Sequence, residues 1–357
     1  MVHELEVFRR QRRDNLGRAV PQVPLPPIEL VQRVGKVDDP NVAAAYEAIG
    51  RHSRERIERL LPADWSWDGK RVLDFGCGAG RTLRHFLDEA ARGEFYGCDI
   101  DAPSVVWLER NLSPPLRVFE NAEEPGLPQP DRFFDLVYAF SVFTHLTDHW
   151  AGWLLELNRV LKPGGLLIAT FLNEGLWPEY GHGHWDEDRV GMHAIKKWNP
   201  WDSGGPIVFH SEWWIREHWG RAFDVLFLER TDPANAAQGQ GATLLRRRSA
   251  QVDRAYLEQV GDDPRELEAA RLDGEQLHHE AAALFERLSS ATDSCLALAA
   301  TTKNLETERA RLIGQVERLT AQVEELQAQL ARISTSRSWR LTAPLRAVAA
   351  ALRRRND

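Results

Sequence analysis

The stretch "VLDFGCGAG", residues 72 to 80, places Gly76, Gly78 and Gly80 at the end of an apolar run. Glycine lets a backbone turn tightly and approach a ligand with no Cβ in the way. A strand that runs through such a loop into a helix N-terminus suits a nucleotide-like ligand. The dinucleotide fingerprint G-x-G-x-x-G wants glycine at position 81, where this chain has Arg81. Two residues before the loop stands Asp74, whose carboxylate would repel a pyrophosphate but accept hydrogen bonds from an ammonium, directly or through water. The spacing D-x-G-x-G-x-G therefore points to a nucleoside that carries an amino acid. Nineteen residues past Gly80, in "FYGCDID", Asp99 is placed to accept both hydrogen bonds of a ribose diol. In "FENAEE", the Asn121 side chain and the Ala122 N–H are placed to read an adenine edge. Each polar residue alone could cap a turn or a helix; their joint spacing favours a ligand.

Elements that would hold these residues alternate along the chain. Strands are predicted at 71–75, 94–99, 116–120, 134–140 and 165–172, with helices at 81–91, 102–112 and 149–161. That alternation means an α/β fold with a parallel, doubly wound sheet. Residues 1–66 read as an N-terminal arm and helix: a basic run around Arg9, Arg10, Arg12 and Arg13, then "VPQVPLPPIEL", whose prolines deny a continuous helix, then a helical pattern over 41–61. The stretch 173–210 is polar, Gly-rich and Trp-rich, too long for a plain connection, and reads as a lid. A helix at 211–221 and strands at 223–231 and 241–248 close the sheet as a hairpin, so the domain is expected to span 67–249.

Four segments, "VLDFGCGAG", "GCDID", "FDLVYAFSVFTHL" and "LNRVLKPGGLLIATF", resemble in that order the motifs of class I S-adenosylmethionine-dependent methyltransferases over roughly residues 67–248. The resemblance implies a Rossmann-like seven-stranded sheet in the order 3-2-1-4-5-7-6, with strand 7 antiparallel. It implies S-adenosyl-L-methionine as cofactor at the carboxyl ends of the strands, held by Asp74, Gly76, Cys77, Gly78, Gly80, Asp99, Ile100, Asn121 and Ala122, with Phe140 and Ser141 flanking its methionine part. Methyl transfer is an in-line displacement at a sulfonium, so the protein supplies alignment and, for a hydroxyl acceptor, a proton sink. His145 is the candidate catalytic base, a neutral imidazole being matched to an alcohol proton near pH 7. The alternative is a histidine that only packs on the next helix.

Candidate acceptor contacts lie in the lid: His182, His184, Trp185, Trp198 and Trp201. Seven of the chain's thirteen tryptophans fall between Trp177 and Trp219; flat indole faces suit the C–H faces of sugar rings and equally a small core of the lid's own. Trp214 and Trp219, in the helix opened by Ser211, are assigned to packing. His182, His184, Asp186, Asp188 and His193 include enough donors for an ion, but the expectation is no metal. The expected reaction is O-methylation of a saccharide or glycan intermediate of surface polysaccharide. A small metabolite, lipid or amine acceptor stays open, as does a scaffold with little catalysis. A formal net charge of −8 argues against nucleic acid as a partner. Three scattered cysteines and the absence of an apolar run of ~20 residues suggest a cytoplasmic protein, at most peripheral at the inner membrane face.

From Leu267 a heptad register runs through residue 336. Its d positions, from Ala270 and Leu277 to Leu326 and Ile333, are all apolar. This is the pattern of a long α-helical coiled coil over 250–336 and a homodimer, with a folded helical hairpin as the alternative. The tail 337–357, "SRSWRLTAPLR" and its arginines, reads as a basic amphipathic segment for an anionic membrane surface. It is also similar to the tails of bacterial proteins that pair methyltransferase or glycosyltransferase domains, which implies a glycosyltransferase partner.

Overall fold

The computed structural model describes residues 23–34, 41–181, 183–231, 239–249 and 252–347. The chain divides into two compact units, Met1–His278 and His279–Asp357. In the first unit, helix α1 (Val42–Leu60) is capped by the Asn41 side chain, which accepts from the Ala44 amide at 3.2 Å. There follow β1 (Arg71–Phe75), β2 (Glu94–Asp99), α2 (Ala102–Leu112), β3 (Arg117–Glu120), β4 (Phe134–Ala139), α3 (Trp150–Val160), β5 (Leu161–Phe171), β6 (Met192–Ile195), β7 (Ile207–His210), α4 (Glu212–His218), β8 (Phe223–Glu229), β9 (Gly241–Arg247), α5 (Arg254–Glu258) and α6 (Arg265–Thr335). Seven strands form one sheet in the order β3-β2-β1-β4-β5-β9-β8, with β9 antiparallel to both neighbours. This is the expected 3-2-1-4-5-7-6 arrangement, because β6 and β7 form a separate hairpin.

The register places the site. Asp74 pairs with Gly97 and Tyr138, and Ala139 with Ala169, so the ends of β1, β2, β4 and β5 meet on one rim. Side chains alternate across the sheet. Leu73 and Phe75 join one core with Trp153 and Leu154, while Val72 joins the other with Ile57, Phe86 and Phe95.

Three boundaries differ from the sequence reading. The predicted helix 81–91 is two 3₁₀ turns, Leu83–Phe86 and Glu89–Ala91. Its carbonyls are drawn to α1: Arg54 donates to the His85 carbonyl, and Gly50 leaves room for that of Arg81, which any side chain at 50 would strike. Helix α1 belongs to the sheet domain, since Ile57, Leu60 and Leu61 share its core. At the other end the domain does not stop at Ser249. Leu257 is fully buried, Glu266 and Ala269 are buried, and Leu272 packs into the lid. His218 Nε2 lies 2.9 Å from Glu266, and His193 Nδ1 2.6 Å from Asp273.

The lid is folded. Leu172, Trp177, Val190, Ile195 and Phe209 make its own small core. Beyond residue 278, α6 continues without a break to Thr335, so no hairpin forms within it, and its d-position residues from Leu298 to Ile333 are exposed. A further turn, Arg337–Leu341, is capped by Ser336, and the Arg346 guanidinium sits 3.6 Å from the Trp339 ring centre. The rest of the basic tail, from residue 348, lies outside the described residues, as do the N-terminal arginines. Among the described residues no helix is long and apolar enough to cross a membrane.

Candidate active site

The glycine loop spends its amides internally. Gly76 and Cys77 N–H both donate to the Cys98 carbonyl at 2.9 Å, Gly80 N–H donates to the Cys77 carbonyl at 2.9 Å, and Gly78 N–H donates to Asp99 Oδ2 at 2.6 Å. An anion nest needs such amides pointing at the ligand, and a helix N-terminus beyond them. These four amides are taken within the protein, and the element beyond them is a short 3₁₀ turn rather than an α-helix. What the loop offers is bare backbone with φ of +79°, +51° and +78° at Gly76, Gly78 and Gly80. Cys77 turns its side chain inward, where Gly97 leaves room for its sulfur, and burial pushes the thiol well above its usual range. Only its backbone borders the site.

Asp74 is 2% exposed and its Oδ2 has no hydrogen-bond partner. Burial raises its pKa well above the ordinary carboxylate value and the charge of Asp99 adds to this, against the opposing Tyr138 hydroxyl and Arg81. A buried carboxyl with an idle oxygen is a receptor for a cation. Asp99 is held at both oxygens, by Gly78 N–H and, at 2.9 Å, by Asp101 N–H. Each oxygen keeps a lone pair for a diol. Burial raises its pKa too, opposed by those amides. It is not the cap of α2: Asp101 is. Asn121 Nδ2 donates to the Ala122 carbonyl at 2.8 Å, which leaves its buried Oδ1 unpartnered as an acceptor for an exocyclic amine. Ile100 is half-buried beside Asp99, and Ala122 is exposed with its N–H available.

Residues that sequence reasoning left unassigned complete this rim. Tyr46 of α1 donates to the Ala79 carbonyl at 3.1 Å, and Arg33 pairs with Asp101, bringing residues 23–34 against the ribose end. Neither has a local signal, since both contacts join distant segments. Taken together, the rim holds a buried carboxyl suited to an ammonium, a carboxylate suited to a diol and an amide oxygen suited to an amino-heterocycle. Ammonium, diol and amino-heterocycle are groups of S-adenosyl-L-methionine.

The chain leaving β4 carries Phe140, Ser141 and His145. Ser141 has φ of +59°, a conformation that costs free energy in a non-glycine residue and concentrates at functional sites. It is held by its N–H to Thr170 Oγ1 at 2.7 Å and by Gln240, whose Nε2 donates to Ser141 Oγ at 2.6 Å. Phe140, half-buried, sits edge-on to Tyr138. His145 Nδ1 lies 2.7 Å from the Pro206 carbonyl, so Nδ1 carries the proton and Nε2 is the free base. The ring keeps solvent access, yet the groups crowded around it lower its pKa by desolvation, with the Pro206 bond opposing.

The lid residues divide. Trp185 is not a free ligand contact: it packs edge-on to Trp177 at 5.3 Å and donates to Glu187 at 3.0 Å, because a lid of this size needs a core of its own. Trp198 and Trp201 stay exposed, at 68% and 42%. A Cβ on Gly205 would touch both His145 Nδ1 (3.4 Å) and Trp201 Cα (3.7 Å), so Trp201 lies on the His145 side. His184 is exposed, and His182 lies outside the described residues. Among the described residues no group of three His, Cys, Asp or Glu is arranged to hold a metal ion.

Fold and rim together define an enzyme of the Rossmann-like methyltransferase class. The methyltransferase domain family matches residues 46–224, and the chain belongs to it. Its cofactor is S-adenosyl-L-methionine. The chain is 28% identical over 166 residues to a phthiotriol/phenolphthiotriol dimycocerosates methyltransferase of Mycobacterium ulcerans, covering 46% of this chain and 55% of that protein. It is 34% identical over 169 residues to a malonyl-[acyl-carrier protein] O-methyltransferase of Halorhodospira halophila, covering 43% and 54%. It thus spans about half the length of these curated relatives. A solved SAM-dependent methyltransferase from Aquifex aeolicus is similar at 19% identity and a TM-score of 0.38, covering 60% of this chain and 96% of that one.

Proposed function

We propose that this methyltransferase methylates a hydroxyl oxygen, with His145 as the base that takes the acceptor's proton. The observation that carries the reading is the bond from His145 Nδ1 to the Pro206 carbonyl, which leaves Nε2 unprotonated, with desolvation keeping the ring neutral near pH 7. When bound, the cofactor supplies the electrophilic methyl group. Asp74 receives its ammonium, Asp99 its ribose, Asn121 and Ala122 its base, and the Ser141–Gln240–Thr170 network fixes the tip of β4 beside the reacting atoms. Exposed Trp198 and Trp201 favour a saccharide or glycan intermediate as acceptor. The names of the relatives favour a second reading, a lipid or a carrier-bound carboxyl.

One experiment separates these. Labelled cofactor and an extract of cells lacking the gene should yield label in an alkali-stable ether, in the glycan fraction. Label released by mild alkali would mean a methyl ester and overturn the hydroxyl reading. His145→Ala should lower turnover by ~10²-fold while cofactor affinity holds. In the parent, activity should fall as pH drops through the lowered His145 pKa. Equal loss of cofactor binding and turnover would make His145 a packing residue.

We also assign the exposed seam of α6 to pairing with a second copy of the chain. Leu305, Leu312, Leu319 and Leu326 are 66%, 47%, 53% and 58% exposed, and water-exposed leucines in register are what a parallel coiled coil buries. Sedimentation should give a dimer for the parent and a monomer for the Leu312→Asp, Leu319→Asp double variant. A monomeric parent overturns the pairing. The basic tail, described only as far as Ala347, we assign to an anionic membrane surface at the cytoplasmic face.

A further inference from the structure

Strand β7 lies beside the chain leaving β5. Leu172 and Phe209 form a parallel bridge, His210 N–H donates to the Leu172 carbonyl at 2.9 Å, and Val208 N–H donates to the Thr144 carbonyl at 2.8 Å. Residues bridged in a parallel pair project to one face and their successors to the other. Leu172 and Phe209 enter the lid core. Asn173 and His210, the next residues, therefore project together to the opposite face, where the His210 ring is 5.4 Å from the rings of both Trp214 and Trp219. Asn173 is 1% exposed and His210 0%. Neither amide atom of Asn173 and neither ring nitrogen of His210 has a hydrogen-bond partner, nor has the hydroxyl of fully buried Thr144.

Buried polar groups are almost always paired, and each exception asks for an explanation. Asp74 and Asn121, assigned above to the cofactor's ammonium and base, also carry buried oxygens without a partner. We propose that Asn173 and His210 form a second ligand subsite, which holds a neutral hydroxyl of the acceptor remote from the oxygen that is methylated. The amide and the neutral imidazole each both donate and accept, which matches a hydroxyl. They supply no charge to balance a carboxylate or an ammonium. Burial keeps His210 neutral, its pKa lowered to about 3. From Pro206, which holds His145, to His210 is four residues, roughly 13 Å of extended chain. The subsite thus anchors an acceptor of more than one ring, and its binding energy aligns the reacting hydroxyl. Because both side chains are sealed, the β6–β7 hairpin must lift to admit the acceptor. The inference rests on the hydroxyl reading above.

Asn173→Leu and His210→Phe test it in the full chain, with the same cell extract as acceptor probe. Replacing unpaired buried polar groups by apolar ones of similar shape is neutral or stabilising. Each variant should therefore melt at or above the parent temperature and bind cofactor within twofold, while label transfer falls at least tenfold. A lower melting temperature would mean that the pair is structural, bonded through internal water, and overturns the subsite. Transfer equal to the parent's overturns it as well. Failure of the hydroxyl reading itself shows separately, as alkali-labile label from the parent.

Discussion

A chain ending at Ser249 should fail to hold a stable fold, whereas one ending at His278 should melt cooperatively as a monomer and retain cofactor affinity. The heptad pattern begins at Leu267 and invites a cut at Ser249, but the first turns of α6 belong to the catalytic unit. Cutting at Ser249 removes Leu257, which is fully buried, and Leu272 from the lid core. It strips Glu266 from His218, whose other nitrogen bonds the Leu257 carbonyl at 2.8 Å, and Asp273 from buried His193. Losing one buried leucine costs about 2–5 kcal/mol, and leaving a buried imidazole nitrogen without its hydrogen-bond partner about 1–3 kcal/mol. Together these rival the roughly 5–15 kcal/mol that holds a domain. Arg189 and Arg265 of the half-exposed pairs with Glu275 and Asp188, at 3.6 Å each, add little. Circular dichroism melts of both truncations decide the matter; a sharp transition from the Ser249 chain would show that α5 and the start of α6 are dispensable.

What the sequence made legible is what local spacing controls. Strands at 71–75 and 94–99 and the helix at 102–112 fall where their apolar runs place them, to the residue. The glycine loop with Asp74 and Asp99 is legible because a tight approach demands glycine and a charged ligand group demands a carboxylate. The 3₁₀ turns after the loop were not, because Arg54 and Gly50 act on them from another helix. Within the tryptophan-rich lid, composition cannot tell Trp185, turned into a core, from Trp198, turned to water. Asn173 and His210 carry no pattern of their own. They become notable only when a parallel bridge sets them side by side.

Replacing Asp74 with Asn should make the cofactor-free protein more stable and the cofactor complex weaker, two effects of opposite sign from one substitution. Burial holds the Asp74 pKa well above that of an unfolded carboxylate, and Asp99 pushes it further. Such a group favours the folded state while both states are protonated. That contribution is lost as pH rises from the ordinary carboxylate range through the raised folded value. At neutral pH the cofactor-free parent carries this burden, and the asparagine, uncharged at every pH, does not. The ammonium of the cofactor relieves the burden by pairing with the ionised Oδ2, a charge-assisted bond worth about 1.5–3 kcal/mol, or ~10- to 150-fold in affinity. Parent affinity should accordingly rise with pH as Asp74 ionises, and the affinity of Asp74→Asn should rise less steeply. Asp99, also raised by burial, titrates in the same direction in both proteins, so the difference between them isolates Asp74. Calorimetric titration and thermal melts of both proteins from pH 5 to 8 measure the two effects. A variant that binds as tightly as the parent would move the ammonium away from Asp74, and one that melts lower without cofactor would show that its carboxylate is satisfied within the fold.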